Sequence, residues 1–188
     1  MSARTYRQVC DTIVVANMAK PKRPEAASIT LARIRQLMED VAAWPDERVH
    51  LAVTDRARRS RFAASNWEIA TLNLEDLAVW PRMGGLPLAA TDGSPVETAR
   101  YIRDNGVPNS ASRMRMFADA ARTDASGVEG ICRALPLIVM EYSRLFKSHS
   151  QRPLWGLDDG SHRAVILALI SQRTDVDVLI GTQRRKAG

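Results

Sequence analysis

Cysteine is scarce in this chain of 188 residues. There are two, Cys10 and Cys132, too few for a disulfide framework and too far apart for a metal or redox motif. With that spacing they are expected to be apolar fillers in a reducing compartment. Histidine is scarce too, and neither His50 nor His149 has a partner at metal-ligand spacing. Aromatic residues make up 5% of the chain. Trp44, Trp67, Trp80 and Trp155 are too dispersed to form a base-stacking platform and read as packing residues. Long apolar runs are missing. The longest, Thr12–Met18 and Ala164–Ile170, fall far short of the ~20 residues a membrane helix needs. The first residues lack the apolar stretch of a signal peptide. Repeats, low-complexity segments, zinc-finger ligands and a clear helix-turn-helix are absent as well. These absences point to an intracellular, soluble chain without an integral membrane segment, long enough to bury a core without staples.

What the chain does have is positive charge. It carries 27 Lys and Arg against 21 Asp and Glu, a formal charge of +6. Arg56, Arg58, Arg59 and Arg61 cluster, and Arg184-Arg185-Lys186 lie near the end. Such patches neutralise phosphates on nucleic acid or dock on acidic partners; equally, they form solvated helix faces.

Local signals sketch a mixed layout. Lys20-Pro21-Lys22-Arg23-Pro24 breaks regular structure. Leu31, Ile34, Met38 and Val41 recur at helical spacing, with Ser28 or Thr30 as cap and Pro45 as stop. His50–Val53 reads as a short strand and Trp67–Leu72 as a longer one. Asn73 caps a short helix from Leu74, and Pro81–Gly93 reads as a loop. Ser94-Pro95-Val96-Glu97 is a capping box with proline in the first turn, and Asn105-Gly106 ends its helix. A second helix is expected over about Ser112 to Arg122 with Ser110 as a nearby cap. Pro136–Met140 and Leu154–Leu157 read as strands, Ser161–Gln172 as a helix with Val165, Ile166 and Leu169 facing the core, and Val176, Val178 and Ile180 as a closing strand. The expected class is α/β (α+β).

One segment carries chemical content: Asp158–Asp159–Gly160–Ser161–His162–Arg163. A strand that ends in a glycine turn and opens a helix makes an anion site, because the first helical amides lack partners and the dipole adds positive charge. Gly160 permits close approach of a ligand. Arg163 is a candidate fork for two phosphate oxygens, and His162 a general acid or base. Asp158 and Asp159 fall on opposite faces of a persisting strand, so one of them faces the pocket. That carboxylate is a candidate Mg²⁺ ligand. The bland alternative makes Asp159 a helix cap and leaves His162 and Arg163 on a solvated face.

At these residues the chain resembles the ParB/sulfiredoxin superfamily. The resemblance runs from about Trp67 to Thr182. It rests on the Trp67–Leu77 opening, Gly130-Ile-Cys-Arg-Ala-Leu-Pro136-Leu-Ile-Val139, Asp159-Gly160-Ser161-His162-Arg163 and the closing Val176–Gly181. Ser161 stands where sulfiredoxins carry their cysteine nucleophile, and Ser161-His162 where partitioning proteins carry Glu-Arg. The layout this implies is a mostly helical extension over 1–65, a ParB/sulfiredoxin-like domain over 66–183 with a helical insertion at about 94–125, and a basic tail at 184–188. Size, charge and layout are similar to a plasmid fertility inhibition protein of that superfamily. The resemblance implies ATP hydrolysis and DNA cleavage, with ATP as substrate, Mg²⁺ as cofactor, and DNA and type IV secretion components as partners. The location it implies is the bacterial cytoplasm, peripheral to the conjugation machinery of the inner membrane. Its candidate site joins Asp159 (metal ligand or water-orienting group), His162 (acid/base), Arg163 and Glu68 (base or metal ligand) as catalytic groups to Gly160, Ser161, His162, Arg163 and Arg133 as phosphate binders. Two alternatives stand beside it: a non-catalytic nucleotide- or DNA-binding blocker, and a serine-type small-molecule kinase of the same fold.

Overall fold

The computed structural model describes residues 3–19, 30–141 and 155–183. The Lys20–Pro24 break, Ser28, His149, Leu154 and the 184–188 tail lie outside them. The architecture is mixed α/β, with a five-stranded sheet between two helical layers. Helices α1 (Ala3–Met18), α2 (Leu31–Ala42), α3 (Asp46–Ala52) and α4 (Arg56–Ala63) precede strand β1 (Ser65–Asn73). A two-residue strand β2 (Leu77–Ala78) follows, then α5 (Pro95–Asn105), α6 (Ser112–Thr123) and α7 (Ala125–Arg133). The chain closes with β3 (Leu137–Met140), β4 (Trp155–Asp159), α8 (Ser161–Ile170) and β5 (Asp175–Gln183). The strand order is β1-β5-β3-β4-β2. β5 runs antiparallel to β1 and parallel to β3, while β4 runs antiparallel to β3 and parallel to β2.

Alternation along the inner strands divides the core. Leu137, Val139, Val176, Val178 and Ile180 meet α5–α8 on one face. Trp67, Ile138 and Leu179 meet Val9, Ile13, Ile34, Leu37, Val49 and Phe62 on the other. Residues one apart on a strand point to opposite faces, so an apolar run such as Leu137–Val139 serves both layers at once. α4 enters β1 almost without a loop. The Trp67 indole donates to the Phe62 carbonyl at 2.8 Å, and the two rings pack edge to face at 5.1 Å.

Caps set most helix starts. Thr30 accepts from the Arg33 amide, Asp55 from Arg58, and Asp124 from Gly127. The Ser94–Glu97 capping box is complete, with Pro95 at the first helical position. Asn73 accepts from the Glu75 amide and starts the short helical turn Leu74–Asp76. Two more short turns, Met83–Gly85 and Leu88–Ala90, fill the expected Pro81–Gly93 loop.

Several expectations need correction. His50–Val53 is not a strand; His50 to Ala52 end α3, which Asp46 and Glu47 favour at its positive end. A four-residue apolar run cannot separate the two cases. In α2 the buried stripe is Ile34, Leu37 and Val41, while Met38 is 41% exposed. Ser110 does not cap α6: Ala111 holds that position, and the Ser110 hydroxyl donates to the Gly85 carbonyl at 2.6 Å. Helical structure continues past residue 125 through α7, and α8 stops at Ile170.

One contact joins the N-terminal helices to the far side of the sheet. Arg58 donates to the Asp158 carboxylate at 2.5 Å and to its carbonyl at 2.7 Å, and Arg61 donates to the same carboxylate. The Asp158 side chain is 6% exposed. Substituting Arg58 by Ala leaves that carboxylate with Arg61 alone. Urea unfolding is expected to show a loss of about 3 kcal/mol, against a few tenths for Arg56→Ala on the exposed side of the same helix.

Candidate functional site

β4 delivers Asp158 and Asp159 to Gly160, whose φ of +93° opens α8. A side chain at 160 would be strained and would also collide, because a Cβ there lies 2.5 Å from Leu137 Cδ2 and 2.9 Å from Arg163 Nη2. Among the described residues no side chain caps α8. The first amide bonded within the helix is that of Ala164, which donates to the Gly160 carbonyl. The amides of Ser161, His162 and Arg163 therefore stand at the positive end of the dipole.

This turn lines a cavity of about 130 Å³ together with Asp159. Its other wall is apolar, built by Ala16 of α1, Ile34 of α2, Met116 and Phe117 of α6 and Ile131 of α7. Arg113, exposed on α6, stands at the same cavity and makes no ion pair with any described residue. Asp158 is turned away into its arginine clamp, so Asp159 is the member of the acidic pair that lines the cavity. The sequence gives no local sign of Arg113 as a site residue, since only the packing of α6 over α8 brings it there. Arg58 and Arg61, three apart on one helix face, were equally hidden because their partner is about a hundred positions away.

Arg163 reaches the cavity but does not present an open fork. Its guanidinium donates to the carbonyls of Cys132, Leu135 and Pro136, which end α7 and lead into β3. The side chain is 13% exposed, with Nη2 3.5 Å from Asp159. The other Asp159 oxygen lies 3.6 Å from Arg58. Bracketed by two guanidiniums, this carboxylate does not fit a protein-held Mg²⁺. Among the described residues no group of three His, Cys, Asp or Glu side chains is placed to hold a metal.

His162 lines the cavity, yet its ring packs under the Met83–Gly85 turn. A Cβ on Gly84, where φ is +56°, would lie 2.2 Å from the buried Nε2. Ser161 lines the cavity at 7% exposure.

The remaining two candidates stand elsewhere. Glu68 is exposed on β1, and the register leads from it through Ile180 and Val139 to Leu157. Those three strand steps are ~14 Å. Arg133 faces the opposite end of α8, where it donates to Glu129, Ser171 and the carbonyls of Arg173 and Asp175. Hydrogen bonds from Ser171 and Arg133 hold Glu129 below the usual carboxylate range. Cys132 lies beneath the same region. Burial pushes its thiol up to about 12, against the pull of Arg163 and Arg133, so it is protonated at neutral pH and is no nucleophile.

No family model matches the chain, nor does any curated protein or solved structure.

Three outcomes follow from this geometry. Arg163→Ala strips three carbonyls of their donor and is expected to cost about 3 kcal/mol in urea unfolding; Lys at 163 restores little, because one ammonium cannot span the fork. Gly84→Ala meets both the left-handed backbone and the His162 ring, and is expected to cost roughly 1–3 kcal/mol while shifting the His162 ring signals in NMR. The Cys132 thiol favours the folded state fully below the ordinary thiol pKa near 8.5. That contribution is lost as pH climbs towards 12. Accordingly, a thiol reagent at mildly alkaline pH is expected to label Cys132 only after denaturant is added.

Proposed function

We propose that this chain binds nucleotide and DNA phosphates at the start of α8, and that it hydrolyses ATP and cleaves DNA there. The reading rests on one observation. The helix N-terminus behind Gly160, the Asp159 carboxylate and the exposed Arg113 all border one cavity. ATP hydrolysis and phosphodiester cleavage both develop charge on non-bridging oxygens, so one site can serve both. The amides of Ser161–Arg163 and the Arg113 guanidinium stabilise that charge. Asp159 orients the attacking water and takes its proton. Arg163 acts as a positioning residue that holds the turn against α7. Mg²⁺ belongs to the proposal as the ordinary counter-ion of ATP, not as a ligand of Asp159.

The biological setting comes from resemblance. The Asp-Gly-x-His-Arg motif resembles the ParB/sulfiredoxin superfamily, and within it the size, charge and layout resemble the plasmid fertility inhibition protein Osa. On that reading the chain blocks passage of T-DNA or plasmid DNA through a type IV secretion system, at the inner face of the conjugation machinery. No helix among the described residues is long and apolar enough to cross a membrane, which fits a peripheral location.

A second reading has an observation of its own. The Arg163 donors point to backbone carbonyls, which leaves Arg113, among the described residues that line the cavity, as the side-chain cation open to a phosphate. A site with few open cations suits a blocker that binds nucleotide or DNA without turnover.

ATP hydrolysis and plasmid nicking, measured with and without Mg²⁺, separate the two. Turnover requires activity in the unaltered chain that falls roughly 100-fold or more in Asp159→Asn. Arg113→Ala is expected to weaken nucleotide binding about tenfold with the fold intact by circular dichroism. DNA binding with neither reaction above background would leave the blocker.

A further inference from the structure

The sheet has two edges of different construction. At one edge β2 spans two residues, too short to recruit another strand, which is one of the usual protections of an edge. At the other, β1 spans nine residues and pairs with β5 over its full length without a bulge. Its sequence, Ser-Asn-Trp-Glu-Ile-Ala-Thr-Leu-Asn, has no proline, lysine or arginine and a single charge, Glu68. Among the described residues, residues 66–72 make no backbone hydrogen bond beyond the ladder to β5. The helical layer that covers Trp67 stops short of the next residue on that face, so Ile69 is 63% exposed. A long, regular edge with a single charge and an exposed β-branched side chain at its centre is a template for strand addition.

We propose that β1 pairs antiparallel with β1 of a second copy of this chain, about a twofold axis at Ile69, to form a continuous ten-stranded sheet. The strand is self-complementary about that point. Ile69 faces Ile69 of the other copy, Trp67 faces Thr71, and Glu68 faces Ala70, so the two glutamates do not oppose each other directly. Charge at one end agrees with this orientation. Glu75 and Asp76 follow the Asn73 end, and Asp177 flanks it on β5; all three are exposed. Arg61, in the last turn of α4 before Ser65, is already paired with Asp158. An antiparallel twofold keeps the acidic ends of the two copies apart, whereas a parallel pairing would stack one on the other.

Sedimentation velocity on the full chain, from about 1 to 200 μM, tests the proposal. The unaltered chain is expected to form a dimer within this range. Ile69→Lys sets two ammonium groups face to face at the axis and is expected to raise the dimer dissociation constant roughly 100-fold, with an unchanged circular dichroism spectrum because the position is exposed. Ile69→Cys is expected to give a disulfide-linked dimer under mild oxidation, since each thiol meets its own copy. An unaltered chain that stays monomeric throughout the range overturns the proposal. So does a dimer that Ile69→Lys leaves intact, which would locate the contact on another face, or an Ile69→Cys chain that dimerises without cross-linking.

Discussion

Two adjacent carboxylates sit at the end of an inner strand, and the rest of the molecule is arranged to keep them there. Asp158 and Asp159 finish β4 where apolar layers close in from both sides. A carboxylate in that position is costly unless it is paired and hydrogen-bonded. Arg58 and Arg61 come from the N-terminal layer to meet Asp158, while Arg163 comes from α8 and lies beside Asp159. The same Arg163 holds the end of α7, so the turn, three helices and two strands meet through one set of guanidiniums.

Much of the basic charge has this structural employment. Arg59 donates to the Val53 carbonyl beyond α3, Arg103 to Ala168 and Leu169 at the end of α8, and Arg115 to Pro108. Carbonyls at helix ends lack intrahelical donors and carry the negative end of the dipole, so guanidiniums suit them on both counts. The Arg56–Arg61 cluster, which in the sequence suggests a phosphate-binding stripe, is largely engaged inside the molecule. A net charge of +6 therefore says less about nucleic acid than the figure suggests.

Local rules carried far in this chain, and where they stopped has a physical reason. Caps and proline positions located α2 and α5 to within a residue or two, because those signals act within one helical turn. Alternating valines located β5, and the glycine turn located the start of α8. His50–Val53 was misread because its few apolar residues fit either period, and β2 is too short to leave a pattern. The site was legible only as a turn. Asp159, Gly160 and Ser161 are there, but the state of Arg163, the direction of His162 and the presence of Arg113 are settled by residues 30 to 80 positions away. Glu68 and Arg133 were proposed from order along the chain, which does not fix distance across a sheet.

The place of β5 in the sheet bears on how the chain matures. It lies between β1 and β3, yet of the five strands it is the last in sequence. β1 thus waits for its ladder until some 100 further residues have been synthesised, roughly 5–20 s at ordinary elongation rates. During that interval the nascent chain can assemble its first helices and pair β3 and β4, but nothing joins β1 to them, and Trp67 stays uncovered. A closing strand inserted between two earlier ones makes β1 the last part of the sheet to be secured.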